Sequence, residues 1–558
     1  MKKTALLLLL VVAGMLGLWH FGRPAYRNYR EQQSAQRARA FLSSGAYTNA
    51  SLSARQALLL NSNNLAACRV MAELAALSHA PAELDWRRRV AELAPTIENR
   101  LLFVATCLRV EAPPYSLAVQ RLAELAATAQ NSAAYHELAA QLALKLGRRD
   151  EAALEFAAAT RLQPTNQFNQ LNLAVLRLAS PDKNVAATAL TTLQNLSSDP
   201  ALGVVALRWQ VAECLRRGDL AGAALNSDRL LTNPGADQFD QLEQLHIRLQ
   251  SHRPDFRSYL AVLQQRCATN ANMTYNLARW MIAHGLPDDA SDWLAGCPAK
   301  LRAEQPVPLA LAECYLARQD WPGLEAYLAG QTWPDLEHLR FAFLSRSAEQ
   351  QHQEFAADSR WRSALREAEN RLGALISLLE LSRNWSNPRH ATEVLWRIGN
   401  RFPGERWVWR DLEHGLYTAG NTSGLLKLYR NRASFDPTNF VVQNNLAATS
   451  LLLKDDLPGA YRLARELYLA HPDEGIIAST YAWSLHLQGR SREGLAIFQK
   501  VPAKQLSNPS ISFYYGLLAA ANGDVANALH YLGLADGSPL LPEEKSLLTA
   551  ARGSLPGR

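Results

Sequence analysis

Apolar residues recur along this chain at helical spacing in short runs, and each run ends near a glycine or a proline. Between residues 131 and 166, Leu142 and Leu146 lie on one helical face and Gly147 follows directly. A second run carries Phe156 and ends at Pro164. Apolar positions three to four residues apart predict an amphipathic helix, and glycine and proline mark its ends. The segment therefore predicts two short helices joined by a turn.

The pair of helices repeats along the chain. The prolines that close successive pairs are 36 and 34 residues apart in one series and 34 and 35 apart in another: Pro164, Pro200 and Pro234, then Pro403, Pro437 and Pro472. A period in this range is typical of a solenoid, and two such helices cannot bury their apolar faces without neighbouring pairs. We expect roughly fourteen or fifteen units in the chain.

Small and aromatic residues occupy fixed positions within the unit. Ala140 and Ala152 allow two helices to approach closely, Phe156 fills the remaining space, and Ala159 precedes the closing proline. This register resembles the tetratricopeptide repeat family. The later units repeat it at Gly420 and Tyr429; Ala448 and Ala460; Ala482, Gly489 and Phe498; and Gly516, Gly523, Ala528 and Ala535. The resemblance runs from about residue 31 to about 540, is weakest between 235 and 400, and implies an all-α, right-handed superhelical solenoid.

The weak middle leaves two arrangements open. One is a continuous array, and the other is two arrays, because residues 251–256 and 303–308 carry prolines where helix is expected. We divide the chain into an N-terminal array (31–235), a degenerate middle (236–403), a C-terminal array (404–540) and a tail (541–558). Residues 541–553 predict a capping helix, with Pro542 in its first turn and Glu543 and Glu544 favourable to the helix dipole.

Residues 1–30 form a separate element. An uncharged, leucine-rich stretch from Thr4 to Phe21 lies between Lys2 and Lys3 on one side and Arg23 on the other. Eighteen helical residues span about 27 Å, close to the roughly 30 Å hydrocarbon core of a bilayer. We predict one uncleaved transmembrane signal-anchor, with the array on the periplasmic or extracytoplasmic side of a bacterial-type envelope. A cleaved secretory signal is the alternative.

The sequence carries little that suggests catalysis. His136-Glu137 begins like a zinc-binding H-E-x-x-H motif, but Ala140 stands where the second histidine must be. The six cysteines form no C-x-x-C pair, and Cys297 and Cys314 are the one pair that merits a test for a disulfide. We therefore expect no catalytic residues, no metal, no cofactor, no small-molecule substrate and no enzyme. The net charge of +7 is mild for 558 residues and is typical of a solvated surface.

Two kinds of partner remain. A nucleic-acid code requires the same polar positions in every unit, but Glu137 and Gln141 of one unit correspond to Arg410 and His414 of another. We expect no nucleic-acid partner. The tetratricopeptide resemblance instead implies a protein-binding groove lined by the first helix of each unit. Carried onto this chain, the groove includes Trp407, Arg410, His414, Tyr417, Asn445, Trp483, His486 and Phe513.

The aromatic residues in that set offer large anchors for an extended or helical segment of another protein. The competing interpretation is that they pack between neighbouring helices. If they are anchors, they face solvent in the free protein. The resulting hypothesis is a membrane-tethered, noncatalytic scaffold or adaptor. The alternatives are a noncatalytic subunit of an envelope polysaccharide or export machine, and a soluble exported protein with a cleaved signal.

Overall fold

Residues 23–555 are described by a computed structural model, and every regular element in that range is helical. The contacts divide the chain into two compact units, with the boundary between Arg266 and Cys267. The helices that begin in the first unit are α1 Arg23–Ser43, α2 Tyr47–Leu60, α3 Leu65–Leu77, α4 Glu83–Leu93, α5 Ile97–Val110, α6 Ser116–Leu125, α7 Ala133–Lys145, α8 Arg149–Leu162, α9 Gln167–Arg177, α10 Lys183–Leu196, α11 Gly203–Arg216, α12 Leu220–Leu231, α13 Gln238–Gln250 and α14 Phe256–Cys267.

The second unit continues the same architecture. Its helices are α15 Ala271–Ala283, α16 Pro287–Gly296, α17 Ala299–Ala303, α18 Val307–Ala317, α19 Trp321–Ala329, α20 Glu337–Gln350, α21 Glu354–Ala368, α22 Leu372–Asn384, α23 Pro388–Arg401, α24 Arg406–Thr418, α25 Thr422–Phe435, α26 Phe440–Leu453, α27 Leu457–Ala470, α28 Gly475–Leu487, α29 Ser491–Phe498, α30 Ala503–Leu506, α31 Pro509–Ala521, α32 Val525–Leu534 and α33 Pro542–Ser554. A 3₁₀ turn, Pro334–Leu336, precedes α20.

Within each unit, consecutive helices pack against each other as hairpins, and each hairpin packs against the next. This confirms the predicted all-helical repeat of helix-turn-helix units. Such a chain is stabilised mainly by contacts between neighbours, since no single hairpin buries its own apolar face.

The turn inside the hairpin has a recurring backbone conformation. Gly147 and Gly420, which the sequence placed in turns, have φ angles of +76° and +63°. Glycine adopts this left-handed region without a steric penalty from a side chain. In the hairpin of α20 and α21, His352 occupies the corresponding turn with φ +58°. The turn geometry is therefore retained even where the glycine of the repeat register is missing.

The repeat register predicts the buried positions correctly. Ala140, Ala152, Phe156 and Ala159 are all fully buried. In the later units, Tyr429, Ala460, Ala482, Phe498 and Ala528 are buried as well. Small residues at helix crossings and larger residues such as Phe156 and Phe498 thus fill the space between helices.

The prolines of the middle segment lie at helix boundaries. Pro254 belongs to the turn between α13 and α14, and Pro308 occupies the first turn of α18, where its missing N–H needs no partner. The stretches where helix was expected, 251–256 and 303–308, therefore contain helix boundaries instead. The boundary between the two units falls in the same degenerate middle, after Arg266.

The expected membrane anchor, Thr4 to Phe21, lies outside the described residues. Between residues 23 and 555, no helix combines the length and the apolar composition that crossing a bilayer requires.

Candidate protein-binding face

The first helices of the last four hairpins in the second unit are α24, α26, α28 and α31, and we call the side they form the inner face. Neighbouring members pack together: α26 contacts α28, and α28 contacts α31. Asn439 caps α26 by accepting a hydrogen bond from the backbone N–H of Val442, and Asn508 caps α31 through Ser510. These caps set the start of each helix and hence which side chains lie on the inner face.

The inner face is covered by the chain itself. Residues 539–555, which we call the C-terminal segment, comprise Pro539 to Leu541, helix α33 and Leu555. Helix α33 contacts both α31 and α26. Leu541 is buried in the same cluster as Leu416 and Leu452, and Leu547 packs against that cluster too. The segment therefore returns to repeats that lie more than a hundred residues earlier in the sequence.

A second apolar cluster receives the remainder of the segment. Leu547, Leu548, Ala551 and Leu555 pack against a cluster whose core includes Trp483, Phe513 and the aliphatic residues around them. Leu547 contacts both clusters and so connects the two halves of the interface. The leucine pair on one side of α33 provides most of its apolar contact with the inner face.

Polar contacts determine where the segment lies along the face. The hydroxyl of Tyr417 donates to the backbone carbonyl of Pro539 at 2.8 Å, and the hydroxyl of Thr422 donates to Glu543. The ring of Pro542 lies directly on Gly420: a Cβ atom at residue 420 would be 3.2 Å from the proline Cγ. These contacts anchor the start of α33 near the end of α24 and the start of α25.

Glu544 is the polar centre of the interface. Its Oε1 accepts from the Tyr514 hydroxyl at 3.0 Å, and its Oε2 accepts from the backbone N–H of Leu541 at 2.9 Å. Burial raises the pKa of Glu544 above its ordinary value, and burial together with the neighbouring Glu544 raises the pKa of the Tyr514 phenol. Removing a carboxylate from water costs free energy unless hydrogen bonds replace its lost hydration, so the burial of Glu544 weakens this interface.

The aromatic residues predicted to line the groove are not arranged as expected. Trp483 is 4% exposed and Phe513 is 1% exposed, so the expectation that they face solvent is wrong. Both belong to the core cluster beneath the C-terminal segment. The indole of Trp483 stacks on the imidazole of His486 at 4.8 Å between ring centroids, and Tyr514 lies 5.4 Å from it. Side chains from neighbouring helices surround the tryptophan, which gives it a packing role in the folded chain.

The remaining predicted groove residues differ in accessibility. Arg410 and His414 are exposed, and the Arg410 side chain is 79% exposed. Trp407 is partly buried, and its indole N–H donates to Glu405 at 2.9 Å. Asn445 and His486 are also partly buried, and burial lowers the pKa of the His486 imidazole. Of the eight residues, Tyr417 hydrogen-bonds to the C-terminal segment, and a protein-binding role for the set stays a prediction.

Sequence reasoning missed Thr422, Tyr514 and the acceptor role of Glu544. It treated residues 541–553 as a helix that caps the last hairpin, because that hairpin is adjacent in sequence. A signal was available: Leu541, Leu547 and Leu548 give α33 an apolar side that needs a partner. The pattern does not say which surface supplies that partner.

Grooves also lie in the first unit. One of about 780 Å³ is lined by Tyr47, Arg69, Glu73, Arg87 and other residues between 39 and 102. Another of about 500 Å³ lies between residues 160 and 195 and includes Gln170, Leu173, Thr188 and Thr192. The first groove is lined by charged and aliphatic residues, and the second by threonine, amide and aliphatic residues with Arg177 as its charged residue.

Reactive side chains are also unfavourably placed for chemistry. Within residues 23–555 no three His, Cys, Asp or Glu side chains gather in a way that could hold a metal ion. Cys297 and Cys314 are both free and buried, and burial raises the pKa of the Cys314 thiol to about 12. A thiol with so high a pKa stays protonated at neutral pH and is a poor nucleophile.

Comparison with known proteins leaves the family open. No protein-family model matches the chain, and no curated protein matches it. The crystal structure of the APC/C hetero-tetramer Cut9–Hcn1 aligns with a TM-score of 0.29 and 12% identity, over 83% of this chain and 98% of that chain. The structure of Naa15/Naa10 bound to HypK-THB aligns with a TM-score of 0.25 and 13% identity, over 94% of this chain and 78% of that chain. Similarity at this level carries no argument about function.

Proposed function

We propose that this chain is a noncatalytic scaffold that binds segments of other proteins on its helical repeats and is tethered to a membrane by its N-terminal residues. One observation carries the binding part of the proposal: the inner face of the second unit already holds a helix, through apolar contacts and hydrogen bonds to residues 539–555. A face that accommodates one helix is suited to helical peptides of similar chemistry.

The membrane part rests on the sequence alone. The uncharged stretch from Thr4 to Phe21, flanked by Lys3 and Arg23, has the length and composition of a single span. In this proposal the repeats lie on the extracytoplasmic side of the membrane. The absence of catalysis is part of the same proposal and is supported by the high pKa of the Cys314 thiol.

The test is crosslinking in membranes, followed by co-purification of the full chain. We expect the chain to remain with membranes until detergent is added and to recover specific protein partners. Recovery of a single biosynthetic enzyme favours a subunit of an envelope machine. Release of the intact array without detergent contradicts the tether and favours a cleaved signal. A chain that recovers no protein after crosslinking contradicts the scaffold.

A further inference from the structure

The C-terminal segment differs from the hairpins in how it is bound. Each hairpin buries residues from both of its helices, whereas α33 contains no fully buried residue. Leu547 and Leu548 are only partly buried, and Leu541, just before the helix, is the residue of the segment that is fully covered. Since the stabilisation from apolar burial scales with the area removed from water, α33 is held less firmly than the helices beneath it.

The aromatic residues under α33 also pack against one another. Phe498 and Phe513 are 0% and 1% exposed, and they pack among residues of α28, α29 and α31. The Phe498 ring stacks on Tyr515 at 4.8 Å between centroids. Contacts among the hairpins therefore form part of this core, and α33 lies over it as a further layer.

The connection to the last hairpin permits departure of the segment. Residues 536–541 follow α32 without helical structure, and they include Gly537 with φ +78° and Pro539. Asp536, Gly537 and Pro539 are exposed. An exposed, nonhelical linker of this kind keeps a released segment close to the face, so the segment competes with other ligands at a high effective concentration.

The contacts define the chemistry of the ligand. A leucine enters the first cluster, a proline lies on Gly420, and two glutamates in the first helical turn meet the hydroxyls of Thr422 and Tyr514. Two leucines on the next turn then cover the second cluster. The face thus selects an amphipathic helix with an acidic first turn, preceded by a leucine.

We propose that residues 539–555 are an internal ligand that occupies the inner face until a partner protein displaces them with an amphipathic helix of the same kind, acidic in its first turn and leucine-rich in its second. This inference rests on the proposed scaffold function and specifies the partner. It predicts that the resting protein is autoinhibited, because the face is occupied by its own chain.

The test uses the full chain and a fluorescent synthetic peptide with the sequence of residues 539–555. Leu547→Ser/Leu548→Ser removes the apolar contact of the internal segment, and we expect the peptide to bind this variant at least about tenfold more tightly than the unaltered protein. The control is Leu529→Ser, on the outer helix α32, where the leucine is 59% exposed. It should bind the peptide as weakly as the unaltered chain.

A second measurement covers the case in which the double variant does not fold, as judged by circular dichroism. A protease site is inserted after Gly537 in the otherwise unaltered chain, and the segment is cleaved without denaturant. We expect the fragment to dissociate on dilution and the core to keep its helical signal and then to bind the peptide. Loss of helical structure on release, or equal peptide binding by the double variant and the unaltered chain, overturns the inference and makes the segment a structural cap.

The outcome can be separated from that of the scaffold proposal. If proteins co-purify equally with the unaltered chain and with Leu547→Ser/Leu548→Ser, and the peptide binds neither, the scaffold stands and the internal ligand is wrong. If the peptide binds the double variant but crosslinking in membranes recovers no protein, the internal ligand stands and the scaffold fails.

Discussion

The first and second units are built from the same helical hairpin, yet a cluster at the start of the first unit and a cluster of the second unit fill the space between helices differently. The first cluster of the first unit consists of alanines and one valine: Ala35, Ala38, Ala50, Ala54, Ala57, Ala67 and Val70. The largest cluster of the second unit contains Trp361, Trp409 and Tyr429 among many leucines. Small side chains bring helix backbones close together, whereas large ones hold them apart and bury more apolar area. Enlarging a side chain should therefore destabilise the alanine-rich cluster, and truncating one should destabilise the cluster of large side chains.

The two units also differ in what covers their helices. In the second unit, residues 539–555 occupy the inner face. In the first unit, grooves of about 500 and 780 Å³ lie open between hairpins. Where a face is covered, aromatic residues such as Trp483 lie in a core. Where the grooves are open, aliphatic and charged residues lie at the surface.

The largest effect is expected from truncating a large residue of the second unit. Trp483→Ala should lower the free energy of unfolding by about 3–5 kcal/mol, because it leaves a cavity in a buried cluster. Urea denaturation followed by circular dichroism measures it, and Trp483→Phe should cost clearly less. If Trp483→Ala kept the unfolding midpoint but lost peptide binding, Trp483 would instead be an exposed anchor for the peptide.

Acid should destabilise the second unit through the buried side chain of His338. Burial, reinforced by the nearby Arg371 charge, lowers the pKa of His338 from 6.5 to about 4. The unfolded chain then binds more protons than the folded one between those values, so stability is full above pH 6.5 and falls as the pH drops toward 4. We expect a loss of about 2–3 kcal/mol across that window.

The control for the acid effect is His338→Gln, which removes the titrating group. Denaturant melts at pH 7 and pH 4.5 should show a smaller difference for this variant than for the unaltered chain. A difference of the same size in both proteins would show that groups other than His338 cause the acid sensitivity. Burial also lowers the pKa of His390, which leaves a residual pH dependence in the variant.

Replacing a buried alanine with a larger residue should destabilise the alanine-rich cluster of the first unit. Ala54 is fully buried in the alanine cluster, where a larger side chain has no room. Ala54→Leu should cost about 1–3 kcal/mol of stability through overpacking. The matched control is Leu59→Ala on the same helix, because Leu59 is 83% exposed and should change stability by less than about 0.5 kcal/mol. A neutral Ala54→Leu would show that the first unit is packed loosely.

The smallest effect concerns a helix cap in each unit. The side chain of Asn64 accepts from the Ala67 N–H at 2.8 Å and donates to Glu31 at 2.7 Å, so it both caps α3 and joins two hairpins. Asn64→Ala should cost about 1 kcal/mol. Asn439 caps α26 through a longer bond, 3.3 Å to the Val442 N–H, and Asn439→Ala should cost less. Equal unfolding midpoints for the two variants would contradict this ranking.

Much of the fold could be predicted from the sequence, because the hairpin is a local structure. The spacing of apolar residues, the turn glycine at 147 and the alanines at 140 and 152 act within one unit of about 34 residues. The same information was enough to place Phe156 and Phe498 in the core, where both are fully buried. The helices expected across Pro254 and Pro308 were placed wrongly, because Pro254 lies in a turn that includes His252 at φ +48° and Pro308 lies in the first turn of α18.

The candidate site was predicted only in part. The register correctly located the first helices of the last hairpins, and Tyr417 among them contacts the helix that lies there. The repeat register did not predict that Trp483 and Phe513 are buried. Whether a residue on the first helix of a hairpin is exposed depends on what packs over it. That depends on a segment outside the repeat, which the periodicity does not describe.

The helical hairpins, their turns and the small residues at their crossings follow from the amino-acid sequence, since they depend on interactions among residues close together in the chain. The return of residues 539–555 to the repeats around Tyr417 and Thr422, 122 and 121 positions earlier for the two contacts, is visible only in the folded molecule. An amphipathic helix buries its apolar side wherever a complementary surface exists. The choice among such surfaces depends on their shape and hydrogen-bonding groups, which arise only when the repeats have stacked.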